Sequence, residues 1–172
     1  TQNRMQVYET NFFALKEQVL STDQASIIVK EGIAINSTAN LDKRDDTTKT
    51  IGNPTEAALL LWLDKQGADY MQLREGAKVL SQLTFSTERK YMATVIDSSL
   101  VGKKVLYVKG APEIVLAHCE RMMTEHGETT VAKHRESIEK KLLEYQNMAM
   151  RTLGFAYQIL DEKDNIAPYE NG

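Results

Sequence analysis

Hydrophobic and polar residues alternate from residue 78 onward, with the period of a half-buried β-strand. Two such runs cover Val79–Phe85 and Arg89–Asp97, and the polar residues between them have the length of a hairpin loop. A third run, Lys104–Lys109, follows a turn that ends at Gly102. Because short links favour antiparallel pairing, the pattern predicts a three-stranded antiparallel meander.

Helical patterns lie on both sides of this meander. The Ser21–Asp23 segment offers capping side chains for a helix through Ile35, and Asn53 with Pro54 can begin a second helix that reaches Gly67. The fold is therefore predicted to be α+β, an antiparallel β-sheet flanked by helices. The remaining predicted elements are an edge strand at Arg4–Tyr8, an exposed loop at Ser37–Thr50, helices at Pro112–Cys119 and Val131–Met150, and a strand at Leu153–Leu160.

Length and charge narrow the class of protein. A chain of 172 residues suits one domain with a sizeable core, and a net charge of −3 gives no electrostatic reason to expect nucleic acid or an anionic membrane as a partner. Cys119 is the only cysteine, so no internal disulfide can form, which is typical of a reducing compartment. No apolar run approaches the roughly 20 residues that span a bilayer. We expect a soluble, intracellular domain.

Motifs for self-contained chemistry are missing from the sequence. It has no phosphate-binding P-loop, no dinucleotide-binding glycine motif and no H-E-x-x-H zinc motif. The three histidines and one cysteine lack the spacing of a structural zinc site, and no Ser/His/Asp or Cys/His set is suggested. We therefore expect neither a catalytic residue nor a metal ligand here, which disfavours a self-standing hydrolase or transferase.

Two charged residues stand at positions that local structure alone could explain. Lys109 ends the third strand beside Gly110, where a ligand could approach the backbone, but this stretch alone favours a solvated lysine at an ordinary strand-to-helix corner. Glu56 lies at the third position of the second helix, where it could complete a capping box with Asn53. Neither residue indicates a site by itself.

Four motifs in a fixed order change this interpretation. Together they resemble the nucleotide-binding domain of P-type cation-transporting ATPases over nearly the whole chain, and the second motif, followed by Thr94-Val95-Ile96, is most similar to plasma-membrane-type calcium pumps and their bacterial relatives. The motifs are Thr55-Glu56-Ala57-Ala58-Leu59, Phe85-Ser86-x-x-Arg89-Lys90-x-Met92, Lys109-Gly110-Ala111-Pro112-Glu113 and Arg151-x-Leu153-x-Phe155-Ala156-Tyr157.

The resemblance implies a pocket for the adenine of ATP. Phe85 would stack on the ring, although a core aromatic at a strand end is the other interpretation. Glu56 would accept a hydrogen bond from the adenine amino group or from a bridging water. Gly110 would let the nucleotide lie against the backbone.

The resemblance also implies roles for three cations. Lys90 and Lys109 would line the pocket and approach the ring and phosphates, and Arg151 would reach the phosphates from the rim. Solvated surface charges are the other interpretation of Lys90 and Arg151. Arg89 should point to the opposite sheet face and be structural. Reticulum calcium pumps have an arginine at the position of Thr87. The phosphate contact that such an arginine would make therefore cannot be assigned to this chain.

At the level of the whole protein, the resemblance implies one nucleotide-binding domain, residues 1–172, of a larger membrane pump. Thr1–Met5 looks like the segment after the D-K-T-G-T-L phosphorylation loop, so we expect residues 1–10 and 161–172 to be links toward the phosphorylation domain. The implied function is to bind ATP and deliver its γ-phosphate to an aspartate of that neighbouring domain, with magnesium held mainly there. Another transported cation (sodium/potassium, proton or magnesium) and a non-catalytic interaction module are the alternatives.

Several expectations follow for the chain as a separate molecule. Its partners would be ATP and the phosphorylation and actuator domains of the same pump, without nucleic acid. The full-length protein would lie in the membrane, with this part in the cytoplasm. We expect the separate chain to be monomeric and to bind nucleotide without turnover.

Overall fold

The computed structural model describes residues 5–164 and 166. Its centre is a four-stranded antiparallel sheet. The helices are α1 (Gln24–Ile35), α2 (Pro54–Lys65), α3 (Tyr70–Glu75), α4 (Pro112–Ala117) and α5 (Arg135–Asn147), with 3-10 turns at Lys16–Gln18 and Val131–Lys133. The strands are β1 (Asn40–Asp42), β2 (Lys49–Ile51), β3 (Ala77–Leu83), β4 (Tyr91–Ser98), β5 (Lys103–Gly110), β6 (Arg121–Thr124), β7 (Gly127–Thr130) and β8 (Gly154–Leu160).

The main sheet is the predicted meander with one more strand. β3, β4 and β5 pair antiparallel in chain order, and β8 pairs with β5 on the far side. Two small hairpins, β1–β2 and β6–β7, lie apart from it. The prediction of an α+β fold built on an antiparallel sheet is therefore confirmed.

The larger core lies between one face of the sheet and the first helices. Alternation along β4 and β5 turns every second side chain toward α1 and α2. Gly32 of α1 faces Tyr107, whose Cδ1 would lie 2.9 Å from a Cβ at that position, so the glycine makes room for the ring. Residues of this cluster include Ile28, Ile33, Leu60, Leu63, Ile96, Val105 and Tyr107. A second cluster on the opposite face contains Ala93, Val95, Leu106 and Leu160.

The starts of α1 and α2 follow the capping chemistry of the sequence. The Asp23 carboxylate accepts the backbone N–H of Ser26, and the Asn53 side-chain oxygen accepts the N–H groups of Thr55 and Glu56. Each interaction satisfies donors that a helix leaves unpaired in its first turn. Both predicted helix starts are confirmed, although α2 ends at Lys65 and does not reach Gly67.

Several predicted elements differ in the structure. Residues 5–8 of the expected edge strand form no strand, and Arg4 lies outside the described residues. The segment predicted as an exposed loop contains the β1–β2 hairpin and buries Leu41. The predicted helix over Val131–Met150 is a 3-10 turn followed by the shorter α5. The sequence patterns missed α3 and the β6–β7 hairpin because such short elements carry little periodicity.

The missed helix α3 anchors the chain between α1 and β1. Arg74 donates hydrogen bonds to the carbonyl oxygens of Ala34 (2.7 Å) and Ala39 (2.8 Å), and its guanidinium lies 4.7 Å from the ring centre of Tyr70. The Tyr70 hydroxyl donates to the carbonyl of Leu41 and accepts that residue's N–H. These bonds satisfy backbone groups at the end of α1 and around β1, and they hold residues 34–41 in place. No helix in the described part of the chain is long and apolar enough to cross a membrane.

We predict that Arg74→Ala lowers the free energy of unfolding by about 1–3 kcal/mol, because it leaves partly buried carbonyls without their donors. The measurement is urea unfolding. Arg44→Ala is the matched control, since the side chain of Arg44 is 87% exposed and pairs with Asp42 at the surface. It should leave the free energy of unfolding nearly unchanged. Equal effects of the two substitutions would contradict the anchoring role.

Candidate functional site

The four sequence motifs meet at one end of the main sheet. Gly110, at the end of β5, pairs with Tyr91 at the start of β4 and with Gly154 at the start of β8. The backbone N–H of Ala111 donates to the carbonyl of Lys90 at 2.9 Å. The antiparallel register therefore brings three segments to the same end of the sheet: the loop after β3, the β5–α4 corner and the segment before β8.

A buried ion pair joins the first and third motifs. Lys109 Nζ lies 2.9 Å from Glu56 Oε1, and the two residues are 6% and 7% exposed. Glu56 reaches this position from the first turn of α2, whereas Lys109 projects from β5 toward the helices. The predicted capping box with Asn53 is wrong, because the Glu56 carboxylate is directed at Lys109 and at the chain after α1.

Residues 36–38 surround this ion pair with hydrogen-bonding groups. The backbone N–H and the hydroxyl of Thr38 both donate to Glu56 Oε2 at 2.7 Å, and the Ser37 hydroxyl lies 3.4 Å from the same oxygen. The Lys109 ammonium also donates to the backbone carbonyl of Asn36. A buried charge pair is stable only when its remaining donors and acceptors are satisfied, and this segment provides that.

The electrostatics keep the carboxylate ionised. Burial alone would raise the pKa of Glu56, but the nearby Lys109 ammonium and the hydrogen bonds from Lys109 and Thr38 outweigh it and hold that pKa below its usual value. Burial lowers the pKa of Lys109, and the Glu56 carboxylate opposes this effect. Near neutral pH the pair is therefore a carboxylate beside an ammonium.

Phe85 lies beyond the end of β3 with 57% of its surface exposed. The interpretation of Phe85 as a core aromatic is therefore wrong. Its loop is nevertheless well defined: the Lys90 N–H donates to the Ser86 carbonyl at 2.8 Å, and Arg89 Nη2 donates to the Thr84 carbonyl at 2.7 Å. Phe85 is therefore exposed to solvent on a loop that is held by its own hydrogen bonds.

Lys90 and Arg89 are placed differently from the strand-based prediction. Lys90 is an exposed residue with φ of 61°, in the left-handed region, and it precedes β4. The argument that strand alternation sends Arg89 and Lys90 to opposite sheet faces does not apply, since neither lies in a strand. Arg89 does have a structural partner, because it bonds to the backbone within its own loop.

Gly110 is surrounded by the chain itself. A Cβ on this residue would overlap the carbonyl oxygen of Lys90 and lie 2.6 Å from the Cα of Tyr91. The close approach of β4 therefore requires glycine here, with or without a bound ligand. The predicted contact of Gly110 with a nucleotide stays a prediction.

Arg151 stands at the rim, exposed, and its Nη1 donates to the hydroxyl of Thr55 at 3.2 Å. Since Thr55 precedes Glu56 in the first turn of α2, this bond places Arg151 near the ion pair. The structure thus brings Glu56, Lys109 and Arg151 to one end of the sheet, with Phe85 and Lys90 on the adjoining loop. Among the described residues, no group of three or more acidic, histidine or cysteine side chains is arranged to hold a metal ion.

The sequence patterns offered no reason to select Asn36, Thr38 or Arg74. The segment around Thr38 was predicted to be an exposed loop on the basis of its polar composition, yet Asn36 is 1% exposed and Ser37 is 9% exposed. Only the polar run Asn36-Ser37-Thr38, directly after an apolar helix, could have signalled buried hydrogen bonding.

The sequence of this chain matches one protein family model and is similar to several individual proteins. Residues 25–171 match the family model described as P-type ATPase, cytoplasmic domain N. The chain is 32% identical to plasma membrane calcium-transporting ATPase 4 of Bos taurus over 187 aligned residues, which cover 99% of this chain and 15% of that protein. It is 30% identical to calcium-transporting ATPase 1 of Lactococcus lactis over 118 residues, 67% of this chain and 13% of that protein.

A plant relative gives a similar result. Calcium-transporting ATPase 2, plasma membrane-type, of Arabidopsis thaliana is 34% identical over 117 residues, 66% of this chain and 11% of that protein. The chain thus spans between 11% and 15% of the length of these three relatives.

We predict that Gly110→Ala destabilises the domain by about 1–3 kcal/mol, because the new methyl group overlaps backbone that cannot retract without opening the β4–β5 ladder. Thermal and urea unfolding measure the loss. Gly76→Ala is the matched control, since a Cβ there would meet nothing closer than 3.5 Å and its φ of −77° suits any residue. A neutral Gly110→Ala variant would show that the close approach is not required.

We predict that Lys109→Met lowers the free energy of unfolding at pH 7 by about 3–5 kcal/mol, because it leaves the Glu56 carboxylate buried without its partner. Adding Glu56→Gln should recover part of the loss, and the exposed Lys78→Met should have little effect. Urea unfolding of the wild type, the two single variants and the double variant forms a double-mutant cycle. Additive losses would rule out coupling between the two charges.

The pH dependence of stability gives an independent test of the same pair. In the wild type the folded-state pKa of Glu56 lies below the unfolded value of 4.5, so its contribution is present above pH 4.5 and is lost as the pH falls through the folded-state pKa. In Lys109→Met the isolated buried carboxylate should have a raised pKa. That variant should therefore gain stability as the pH is lowered from 7 toward 5, in contrast to the wild type.

Proposed function

This chain belongs to the P-type ATPase family, as its cytoplasmic domain N, and from that premise we propose that it binds ATP at the Phe85 end of the main sheet and presents the γ-phosphate to an aspartate of a neighbouring domain. We propose further that the complete protein is a cation pump and that calcium is its transported ion. The relatives named as calcium-transporting ATPases support this choice.

The observation that carries the proposal is that an exposed aromatic ring and a buried, ionised carboxylate lie at the same end of the main sheet. A large aromatic side chain that is 57% exposed is well suited to stacking on a flat base. Base–aromatic stacking contributes roughly 1–3 kcal/mol per base. Glu56 then supplies an acceptor for the adenine amino group or for a bridging water.

The outer part of the site has the charge that phosphates need. Lys90 and Arg151 are both exposed at this end of the sheet, and the Thr55 hydroxyl holds the guanidinium of Arg151 near the first turn of α2. Guanidinium and ammonium groups form charge-assisted hydrogen bonds with phosphate oxygens. We assign the phosphate contacts to these two residues and the inner, base-side position to Lys109, whose ammonium is already paired with Glu56.

In this scheme the chain contributes positioning and no covalent chemistry. It holds the nucleotide so that closure onto the phosphorylation domain brings the γ-phosphate in line with the acceptor aspartate. Magnesium is assigned mainly to that neighbouring domain. The phosphorylation and actuator domains of the same pump are the proposed partners, and ATP with magnesium is the proposed substrate.

The test is a titration of the isolated chain with ATP, followed by backbone amide shifts. With one stacked base and partly exposed cations working against an association cost of about 4 kcal/mol or more, we expect a Kd of roughly 0.1 to several mM. Phe85→Ala should weaken binding at least about fivefold, because it removes the stacking surface.

Leu100→Ala is the matched control for that substitution. Leu100 is also half exposed, but it lies in the turn between β4 and β5, at the opposite end of the sheet. Its replacement should leave the affinity for ATP unchanged. Micromolar binding that Phe85→Ala does not weaken would contradict the pocket, and perturbation by inorganic phosphate alone would favour the interaction-module alternative.

A further inference from the structure

The hydrogen bonds around Glu56 leave its two carboxylate oxygens unequally occupied. Oε2 accepts two bonds of 2.7 Å from Thr38 and lies 3.4 Å from the Ser37 hydroxyl. A carboxylate oxygen accepts about two hydrogen bonds at full strength, so Oε2 is saturated. Oε1 accepts from Lys109 Nζ at 2.9 Å, the only partner the described residues give it, and one acceptor position on Oε1 remains open.

The lysine on the other side of this carboxylate is also fixed. Besides Glu56, its ammonium bonds to the carbonyl oxygen of Asn36. With two of its three N–H donors directed at fixed oxygens, Lys109 cannot move around Oε1 and fill the open position. The orientation of that position therefore depends on the segment 36–38 as much as on Glu56 itself.

Buried bonds to the main sheet keep this segment in place. Thr94 Oγ1 donates to Asn36 Oδ1 at 2.8 Å, and Asn36 Nδ2 donates to the Met92 carbonyl at 3.3 Å. Asn36 and Thr94 are 1% and 0% exposed, so water does not compete for these groups. The side chain of Asn36 thus ties residues 36–38 to β4, the strand that begins beside Lys90.

We propose that Thr38 is a positioning residue that selects the purine base: by saturating Oε2 it turns the open acceptor of Oε1 toward the ligand, where it takes a 6-amino group and rejects a 6-oxo group. This inference rests on the proposed function of the site. Asn36 has a supporting role, because it holds both the segment that carries Thr38 and the ammonium of Lys109.

The chemistry of the two groups explains the selection. The amino group of adenine is a hydrogen-bond donor and matches a carboxylate acceptor, whereas the oxo group of hypoxanthine places an acceptor against another acceptor. Without the Thr38 hydroxyl, Oε2 keeps the Thr38 N–H and the longer 3.4 Å contact to the Ser37 hydroxyl, so the carboxylate loses one of its two short bonds and is held less firmly. The open position on Oε1 is then no longer held toward the base.

The experiment compares ATP with inosine triphosphate, which has a 6-oxo group and a proton on N1 where ATP has a 6-amino group and an unprotonated N1. We expect the wild-type chain to bind ATP more tightly than inosine triphosphate. Thr38→Val keeps the shape and the backbone N–H but removes the hydroxyl, and it should weaken ATP binding on the order of fivefold while changing inosine triphosphate binding little. Thr38→Ser should restore the discrimination, because it restores the donor.

Two controls separate positioning from a general loss of structure. Thr50→Val makes the same chemical change at an exposed strand residue of β2 and should leave both affinities unchanged. In the wild type, the amide proton of Thr38, which is bonded to Glu56, should shift on addition of ATP and shift much less with inosine triphosphate. That readout needs no variant, so it stands even if Thr38→Val fails to fold.

The outcomes distinguish this inference from the proposed function. If the wild type binds ATP and Phe85→Ala weakens it, but Thr38→Val lowers both nucleotides equally or neither, the positioning role of Thr38 is wrong and the pocket stands. An unshifted Thr38 amide at saturating ATP leads to the same conclusion. If the wild type binds no ATP, both proposals are wrong.

Discussion

The buried Glu56–Lys109 ion pair is the interaction on which the rest of this site depends. Removing two charges from water costs several kcal/mol for each ion, and their attraction offsets that cost only where geometry and hydrogen bonds are favourable. Here those conditions involve three separate parts of the chain: the first turn of α2, the end of β5 and the segment after α1. The pair therefore links three local structures that are far apart in the sequence.

This dependence explains why α3 matters for a site that it does not enter. Arg74 and Tyr70 bind the backbone of residues 34–41, and that backbone supplies the groups that surround the ion pair. A short helix with little intrinsic stability thus contributes by satisfying carbonyls that would otherwise be buried unpaired. α3 thus holds the segment, and the segment in turn satisfies the two charges.

The sequence predicted those features that local physics determines. The caps of α1 and α2, the meander and the α+β class follow from side-chain chemistry and periodicity within a few residues, and the structure contains them. The surroundings of Glu56 could not be predicted in this way, because its donors lie 18 residues away at Thr38 and its cation lies in another strand. Polar composition indicated an exposed loop where the structure buries hydrogen bonds.

The same contrast between local patterns and distant contacts applies to the six predicted site residues. Gly110 illustrates the point: a glycine at a strand end suggested space for a ligand, and the register shows a second reason for glycine, because the start of β4 lies where a Cβ would be. Close packing at this corner leaves Gly110 no room for a side chain, while Phe85, Lys90 and Arg151 stay exposed around it. In the proposed site, a flat base would meet an exposed aromatic side chain beside this closely packed corner, so the binding energy would not be spent on rearranging the sheet.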